Sequence, residues 1–307
     1  MQPQRVVDYL VYVIVRLFIC VVQAISLETG RQLAGGLAWL MADALRVRGK
    51  VVDENLRHAL PGLSDRQRRR LARRMWEHLF LLVIEVAHAP RKIHETNWRQ
   101  FVRLKDVRPL VAQLLTDRPI IIVTAHFGNF EAGGYLLGIL GFPTFAIART
   151  LDNRYLNRFV NRFRGVTGQY IVPKNGGYDQ ILDVLGQGGT LSLLADQYAG
   201  RKGCWVQFFH RPASAHKAIA LLALEHQALV AVTYARRLEH PMRFEMCCAA
   251  MADPRDPGFS LGSIPALTQW YTSQMEDFIA RWPEQYWWIH RRWKDTRKKK
   301  STAKQAA

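Results

Sequence analysis

Pro119 to Glu131 reads PIIIVTAHFGNFE. Ile120 to Val123 is a run of β-branched residues with no polar interruption, the pattern of a strand buried on both faces. The run breaks into a turn containing Gly128 and is followed by EAGGYLLGIL, which has the length and composition of a helix. A strand that ends in a turn and feeds a helix puts His126 at the strand's carboxyl end and Glu131 in the helix's first turn. In open α/β sheets ligands bind outside the carboxyl ends of the strands, so His126 stands where chemistry is done. A carboxylate beside an imidazole fixes its tautomer and stabilises its protonated form, leaving the other ring nitrogen to take a proton from a hydroxyl. The expectation is a His126–Glu131 dyad acting on a hydroxyl that arrives with the substrate.

Spacing alone does not select this pair. With 10 His and 25 Asp plus Glu in 307 residues, chance supplies about one His with an acid five positions on. Three occur, the others being His240 with Glu245 and His290 with Asp295. The first of these lies between LVAVTYA and FEMCCAAM, which reads as a hairpin connection, and the second opens a basic tail. Only His126 has the strand-end context. The plainer reading of any such residue is a hydrogen-bonded structural histidine.

From Ile120 onward strand-like and helix-like segments alternate. IIIVTA, TFAIA, QYIV, TLSLLA and ALVAVTYA are separated by EAGGYLLGIL, RYLNRFVNRFRGV, YDQILDVLG and SAHKAIALLALEH. Alternation of this kind implies βαβ units, so the expected fold is α/β, a largely parallel sheet flanked by helices. FEMCCAAM adds a strand and Pro265 to Arg281 a closing helix. No Pro/Gly/Ser linker interrupts the interior, so one large domain is expected.

The formal charge of +18 calls for an acidic partner or surface. Zinc-finger spacings and RRM-like aromatic-basic motifs are absent from the sequence, so no nucleic-acid partner is expected. Cys20, Cys204, Cys247 and Cys248 show no metal-ligand spacing and read as ordinary thiols.

Val6 to Leu27 is apolar and close to membrane-spanning length, with Arg16 in its middle and Asp8 near its start. It reads as a membrane anchor, either single-pass or lying at the interface, in preference to a soluble core helix or a cleaved signal peptide. Leu33 to Val47 is a second helix-like segment. Ser64 with Gln67 makes a capping-box pattern ahead of an amphipathic helix on which Leu71, Met75, Leu79 and Leu82 recur at helical spacing. Its first turns carry Arg68, Arg69, Arg70, Arg73 and Arg74, which suit anionic headgroups where a solvated face is the plainer reading. The ending interleaves Trp287, Trp288 and Trp293 with Arg291, Arg292, Lys294 and the run Arg297 to Lys300, a composition that fits a bilayer interface and, less well, RNA. The expected division is an anchor over 1–28, a helical basic membrane-associating region over 29–118, a catalytic core over 119–294 and a basic disordered tail over 295–307.

HFGNFE matches the HxxxxD/E motif of the glycerolipid acyltransferases. NLRHALPGLSDRQRRRL resembles the NLxxxFPxLS segment of one branch, the lipid A lauroyl/myristoyl acyltransferases. NRFRG, LLADQ, VQFFHRPAS and PEQYWWIHRRWK resemble further pieces of that branch in the same order, so the resemblance runs from about Val51 to Lys294. It implies an O-acyltransferase on the cytoplasmic face of a bacterial inner membrane. The reaction implied moves a fatty acyl chain from acyl carrier protein to a hydroxyl of a lipid A precursor, with no cofactor and no metal. His126 would be the general base and Glu131 its partner. Gly128 and Asn129 would line the substrate, the amides of the FGN turn serving as oxyanion donors. Arg164 falls on a substrate-binding arginine of the branch, with Arg149 a second candidate; Asp196, at the end of another strand, would orient that arginine. Otherwise these arginines snorkel from a surface helix and Asp196 starts a turn. His210 stands where the branch has Gly in FFGxPA, and ASAH replaces AxTxxG, which puts the acceptor more in question than the reaction. A lysophospholipid, aminolipid or glycolipid acceptor, a lipid or thioester hydrolase using the same dyad, and a non-catalytic membrane scaffold remain the rival readings.

Overall fold

Two short sequence signals set the helical N-terminal part. Ser26 caps the second helix, its hydroxyl accepting from the Thr29 amide. Ser64 and Gln67 form the reciprocal capping box expected of them. In a computed structural model describing residues 3–294, the chain begins with α1 (Pro3–Ala24), α2 (Leu27–Trp39), a single π turn at Leu40–Ala44, α3 (Gly49–Ala59) and the long α4 (Asp65–Lys92). There follow β1 (Val102–Lys105), α5 (Arg108–Leu114), β2 (Ile120–Thr124), α6 (Phe130–Ile139), β3 (Thr144–Ala148), α7 (Arg154–Gly165), β4 (Gln169–Pro173), α8 (Tyr178–Gly186) and β5 (Thr190–Leu194). The chain continues with β6 (Cys204–Phe208), β7 (Arg211–Ala215), α9 (Ala218–Glu225), β8 (Leu229–Arg237), β9 (Phe244–Ala252) and α10 (Ile264–Arg281). A 3₁₀ turn, Pro283–Gln285, leads into the final described segment.

The sheet has the order β1-β9-β8-β2-β5-β3-β4. Every neighbouring pair is parallel except β8 with β9, which form the antiparallel hairpin that places His240 at an exposed turn. The β-branched run sits in the middle, between β8 and β5, and its alternate residues face opposite layers. Ile121 and Val123 belong to the main core with α3, α4, α8, α9 and α10 residues, while Ile120 and Ile122 pack with Leu110 of α5 and Leu229 of β8. Burial on both faces is why this strand reads as an unbroken apolar run.

Two features depart from expectation. The sheet starts before Pro119, because β1 adds an edge strand at Val102 paired with β9. VQFFHRPAS lies in a two-stranded hairpin, β6 with β7, turning at Phe209 and His210, so Ser214 and Ala215 are in a strand and the helix expected from SAHKAIALLALEH starts only at Ala218. Both turn residues have positive φ, 49° and 57°, so the position of His210 favours glycine and the histidine sits there against its backbone preference. The expectation for 295–307 lies outside the described residues.

Candidate active site

Parallel register decides which side chains meet. Thr124 of β2 pairs with Leu194 of β5, and the Ala195 amide donates to the Thr124 carbonyl at 2.8 Å. Two residues further along each strand come His126 and Asp196. Nδ1 of His126 lies 2.8 Å from Oδ1 of Asp196, with the carboxylate fully buried and the imidazole largely so. An ionised carboxylate only accepts, so Nδ1 carries the proton and Nε2 holds the lone pair. Burial by itself would lower the imidazole's proton affinity; the Asp196 charge and hydrogen bond, with the Glu131 charge behind them, outweigh it and raise His126 above its usual 6.5. Burial works against Asp196 too, yet the His126 charge and hydrogen bond hold its carboxyl down at about 2.

The partners are therefore exchanged relative to the sequence expectation. Asp196, not Glu131, orients His126. Glu131, in the first turn of α6, is instead held by Arg164 of α7, whose Nε donates to Oε2 at 3.1 Å while Nη2 donates to Oε1. A guanidinium fork matches a carboxylate in two parallel bonds, which is why Glu131 turns toward α7. It still acts on His126 through its charge. Arg149 does not join this group: it pairs with Asp152 on an exposed stretch.

The FGN turn is structural. The Phe127 amide donates to Ala125 O (2.7 Å), Gly128 to Gln285 O (2.9 Å) and Asn129 to Ala235 O (2.7 Å). All three donors are occupied, so the turn has no amide left for an oxyanion. Gly128 has φ +58°, and a Cβ there would meet the Ala235 carbonyl, so the strand β8 backbone runs against the turn where only glycine fits. Asn129 is wholly buried; its Oδ1 caps α6 at Ala132 and its Nδ2 donates to Glu85 at 2.8 Å.

Behind the turn lies a buried charged network that the sequence reading missed. Glu85 of α4 accepts from Arg237 Nε (2.6 Å) and Nη2 (2.7 Å), from Asn129 and from the Met242 amide (3.0 Å). Arg237 Nη1 donates to His78 Nδ1 (2.6 Å), and His78 Nε2 donates to the Gly128 carbonyl (3.0 Å). Burial first, and the neighbouring Arg237 charge second, push His78 well below its usual range, so it is neutral with the proton on Nε2. Gln285 closes the ring, accepting from the Arg237 amide at 2.8 Å and donating to its carbonyl at 2.9 Å. The FGN turn is thus clamped from α4, β8 and the C-terminal segment at once.

That C-terminal segment is not a membrane-facing tail as far as Lys294. Tyr286, Trp288 and Arg292 are buried, and Arg292 donates to Ser214 O at 2.6 Å. Trp293 stacks on Phe208 and Trp287 donates its amide to His126 O. Trp287 and His290 place their rings 5.1 and 5.0 Å from that of His126, and Phe130 adds a third at 5.4 Å. His290 is held below its usual value by burial, then by the charge of His126. Trp287 Nε1 and His290 Nε2 are buried without a hydrogen-bond partner among the described residues. The Gln197 side-chain nitrogen lies 3.3 Å from His126 Nε2, the atom that would receive a proton. Only the PEQYWWIHRRWK resemblance signalled this segment's importance; its aromatic and basic composition pointed to a surface.

An apolar cavity is lined by Phe130, Gly133 and Leu137 of α6, Thr124 of β2, Leu110 of α5 and Met246 of β9 among others. Phe130 thus lines the cavity and sets its ring against the imidazole. No cluster suited to a metal ion occurs among the described residues.

The arrangement can carry out proton abstraction from a hydroxyl beside an apolar slot. Known proteins supply the family. The chain is 24% identical over 266 residues to the lipid A biosynthesis palmitoleoyltransferase of Escherichia coli strain K12, covering 81% of this chain and 80% of that protein. It is 23% identical over 269 residues to the lipid A biosynthesis lauroyltransferase of the same organism, covering 86% and 84%. A crystal structure of the 1-acyl-sn-glycerophosphate acyltransferase from Thermotoga maritima aligns with a TM-score of 0.41 at 15% identity, over 88% of this chain and all of that one. A family model, bacterial lipid A biosynthesis acyltransferase, matches residues 1–295, from the first helix through the segment that closes over His126, and the chain belongs to that family.

Proposed function

We propose that this acyltransferase moves a fatty acyl chain from an acyl carrier protein thioester to a hydroxyl of a lipid A precursor, at the cytoplasmic face of a bacterial inner membrane. The observation that carries the reading is the buried His126–Asp196 pair at the carboxyl ends of two neighbouring parallel strands, one ring away from an apolar cavity. His126 Nε2 takes the proton of the acceptor hydroxyl as its oxygen attacks the thioester carbonyl carbon, and Asp196 stabilises the imidazolium that forms. The tetrahedral intermediate collapses, the carbon–sulfur bond breaks, and the departing thiolate receives the proton from His126.

Because the FGN amides are occupied, the donors for the intermediate's oxyanion are assigned to Trp287 Nε1 and His290 Nε2. The acyl chain occupies the cavity lined by Phe130, so that its thioester end meets the imidazole. Arg164, fixed by Glu131, faces the anionic group of acceptor or donor with the nitrogen outside that pair. The charge of +18 suits an acidic carrier protein as donor.

Purified enzyme supplied with acyl carrier protein thioester and a lipid A precursor tests the reading, with products identified by mass spectrometry. An acylated lipid is expected. Free fatty acid as the main product would make the enzyme a hydrolase, and acylation of only lysophospholipid or glycolipid would replace the acceptor. Use of coenzyme A thioesters in preference at every ionic strength would remove the carrier protein.

A further inference from the structure

Length cannot say whether α1 crosses a bilayer. Its 22 residues extend about 33 Å at 1.5 Å per residue, enough for a hydrocarbon core of about 30 Å. Its contacts can. Near its start the Asp8 carbonyl accepts from Asn153 Nδ2 at 2.8 Å, and Tyr9 meets Tyr155 edge-on at 5.3 Å. In the middle Arg16 lies over the Phe159 ring, 4.8 Å from its centroid, and donates to Tyr12 at 2.9 Å. Near its end Val22 packs with Leu81 and Ile84, and Gln23 donates to the Ala87 carbonyl at 2.7 Å. The body therefore accompanies α1 from Asp8 to Gln23, about 22 Å of helix.

A spanning α1 would carry α7 and the end of α4 into the hydrocarbon with it. Those elements expose Arg154, Arg158 and Arg162, and Arg91 and Lys92. Charges at that depth, flanking the very residues that hold α1, are incompatible with a bilayer core. The opposite face of α1 is of another character: Leu10, Ile14, Leu17, Phe18 and Val21 fall on one side at helical spacing, and each is more than half exposed.

We infer that α1 is an in-plane membrane helix. It lies along the body, its outer face sunk into one leaflet of an anionic bilayer, with the arginines of α7 at the headgroups beside it. Apolar burial supplies the insertion and the cationic rim selects anionic lipid. The placement deepens the lipid-acceptor reading. α7 continues from the α1 contact at Phe159 to Arg164, about 8 Å further along, where the guanidinium holds Glu131. A lipid acceptor would thus move sideways from the leaflet to His126 without leaving the membrane surface.

Depth measurement tests the placement without reference to turnover, so it stands or falls separately from the acyl-transfer reading. Spin labels are placed at Leu10→Cys, Ile14→Cys, Leu17→Cys and Val21→Cys of the full chain, in a Cys20→Ser, Cys204→Ser background. Labelled protein is added to sealed vesicles of phosphatidylethanolamine with phosphatidylglycerol. Equal, shallow depths of about 5–10 Å are expected at all four positions. The exposed Cys20 of the unsubstituted chain provides a further label that needs no substitution on α1. An Arg5→Cys thiol should react with a membrane-impermeant reagent added outside. A depth profile that passes through the bilayer centre between positions 10 and 21, protection of the position 5 thiol, or no label entering the bilayer would each overturn the inference.

Discussion

His126 and Asp196, 70 positions apart in sequence, stand two residues beyond the paired positions Thr124 and Leu194 of adjacent parallel strands. Their contact is a consequence of register. A one-residue slip between β2 and β5 would turn one of the two side chains to the opposite face of the sheet and dissolve the pair.

Replacing the two acidic neighbours of His126 separates their roles. Asp196→Asn removes the hydrogen-bonded charge and allows the wrong tautomer, so transfer should fall about 10²- to 10⁴-fold, the usual worth of a positioned general base. Glu131→Gln breaks the Arg164 pair and should act more on KM for the anionic substrate than Asp196→Asn does. Equal kinetic profiles for the two variants would mean that the exchange of partners is not realised in the working enzyme.

The central strand, its turn and the histidine at its end were legible because they are local. A β-branched run buried on both faces, a breaker and a helix start carry their own signature. Asp196 was visible as a strand-end acid, but its partner was not, since the match depends on β5 lying beside β2. Glu131 was close to His126 in sequence and looked the better partner; nothing in the local pattern shows that Arg164, 33 residues on, draws it away. The C-terminal aromatics and arginines misled for a related reason. Interleaved Trp and Arg describe an interface belt equally well as a segment packed inside the body, and contacts from distant elements distinguish them, such as Asn55 holding the Trp288 and His290 carbonyls at 2.7 and 2.8 Å. In the basic run of α4, Arg68 is buried against Asp53 and Asp65, while Arg73, paired with Asp43, and Arg74, reaching Glu284, stay exposed.

The pH dependence follows from the raised His126 and lowered Asp196. The base must be neutral, so the transfer rate should rise with pH through an inflection above 6.5. Asp196→Asn should move that inflection downward, and Glu131→Gln should move it less in the same direction. For stability the signs differ. The raised imidazole stabilises the fold below 6.5 and loses that contribution as pH rises through its folded value. The Asp196 contribution is present above 3.8 and is lost as pH falls towards about 2. Rate and thermal-melt profiles over pH check both; an inflection at or below 6.5 in the wild type contradicts the pairing.

Glu85→Gln leaves the Arg237 charge buried without its partner, which typically costs about 3–5 kcal/mol. Calorimetry should show a marked fall in Tm, and activity should be lost with the clamp on the FGN turn. An unchanged Tm would show that the network is not closed in solution.

His290→Ala should lower kcat with little change in KM, because an oxyanion donor acts chiefly in the transition state. His290→Gln, which can still donate, should recover part of the loss. Wild-type kcat in His290→Ala would return this histidine to a packing role and leave Trp287 Nε1 as the one assigned donor.

The most direct test is the rate of acyl transfer by His126→Ala enzyme whose fold has been confirmed by circular dichroism and melting, compared with wild type under single-turnover conditions. A loss of about 10²- to 10⁴-fold is predicted, the usual worth of a positioned general base. A folded His126→Ala enzyme that transfers acyl chains at close to the wild-type rate would contradict the mechanism.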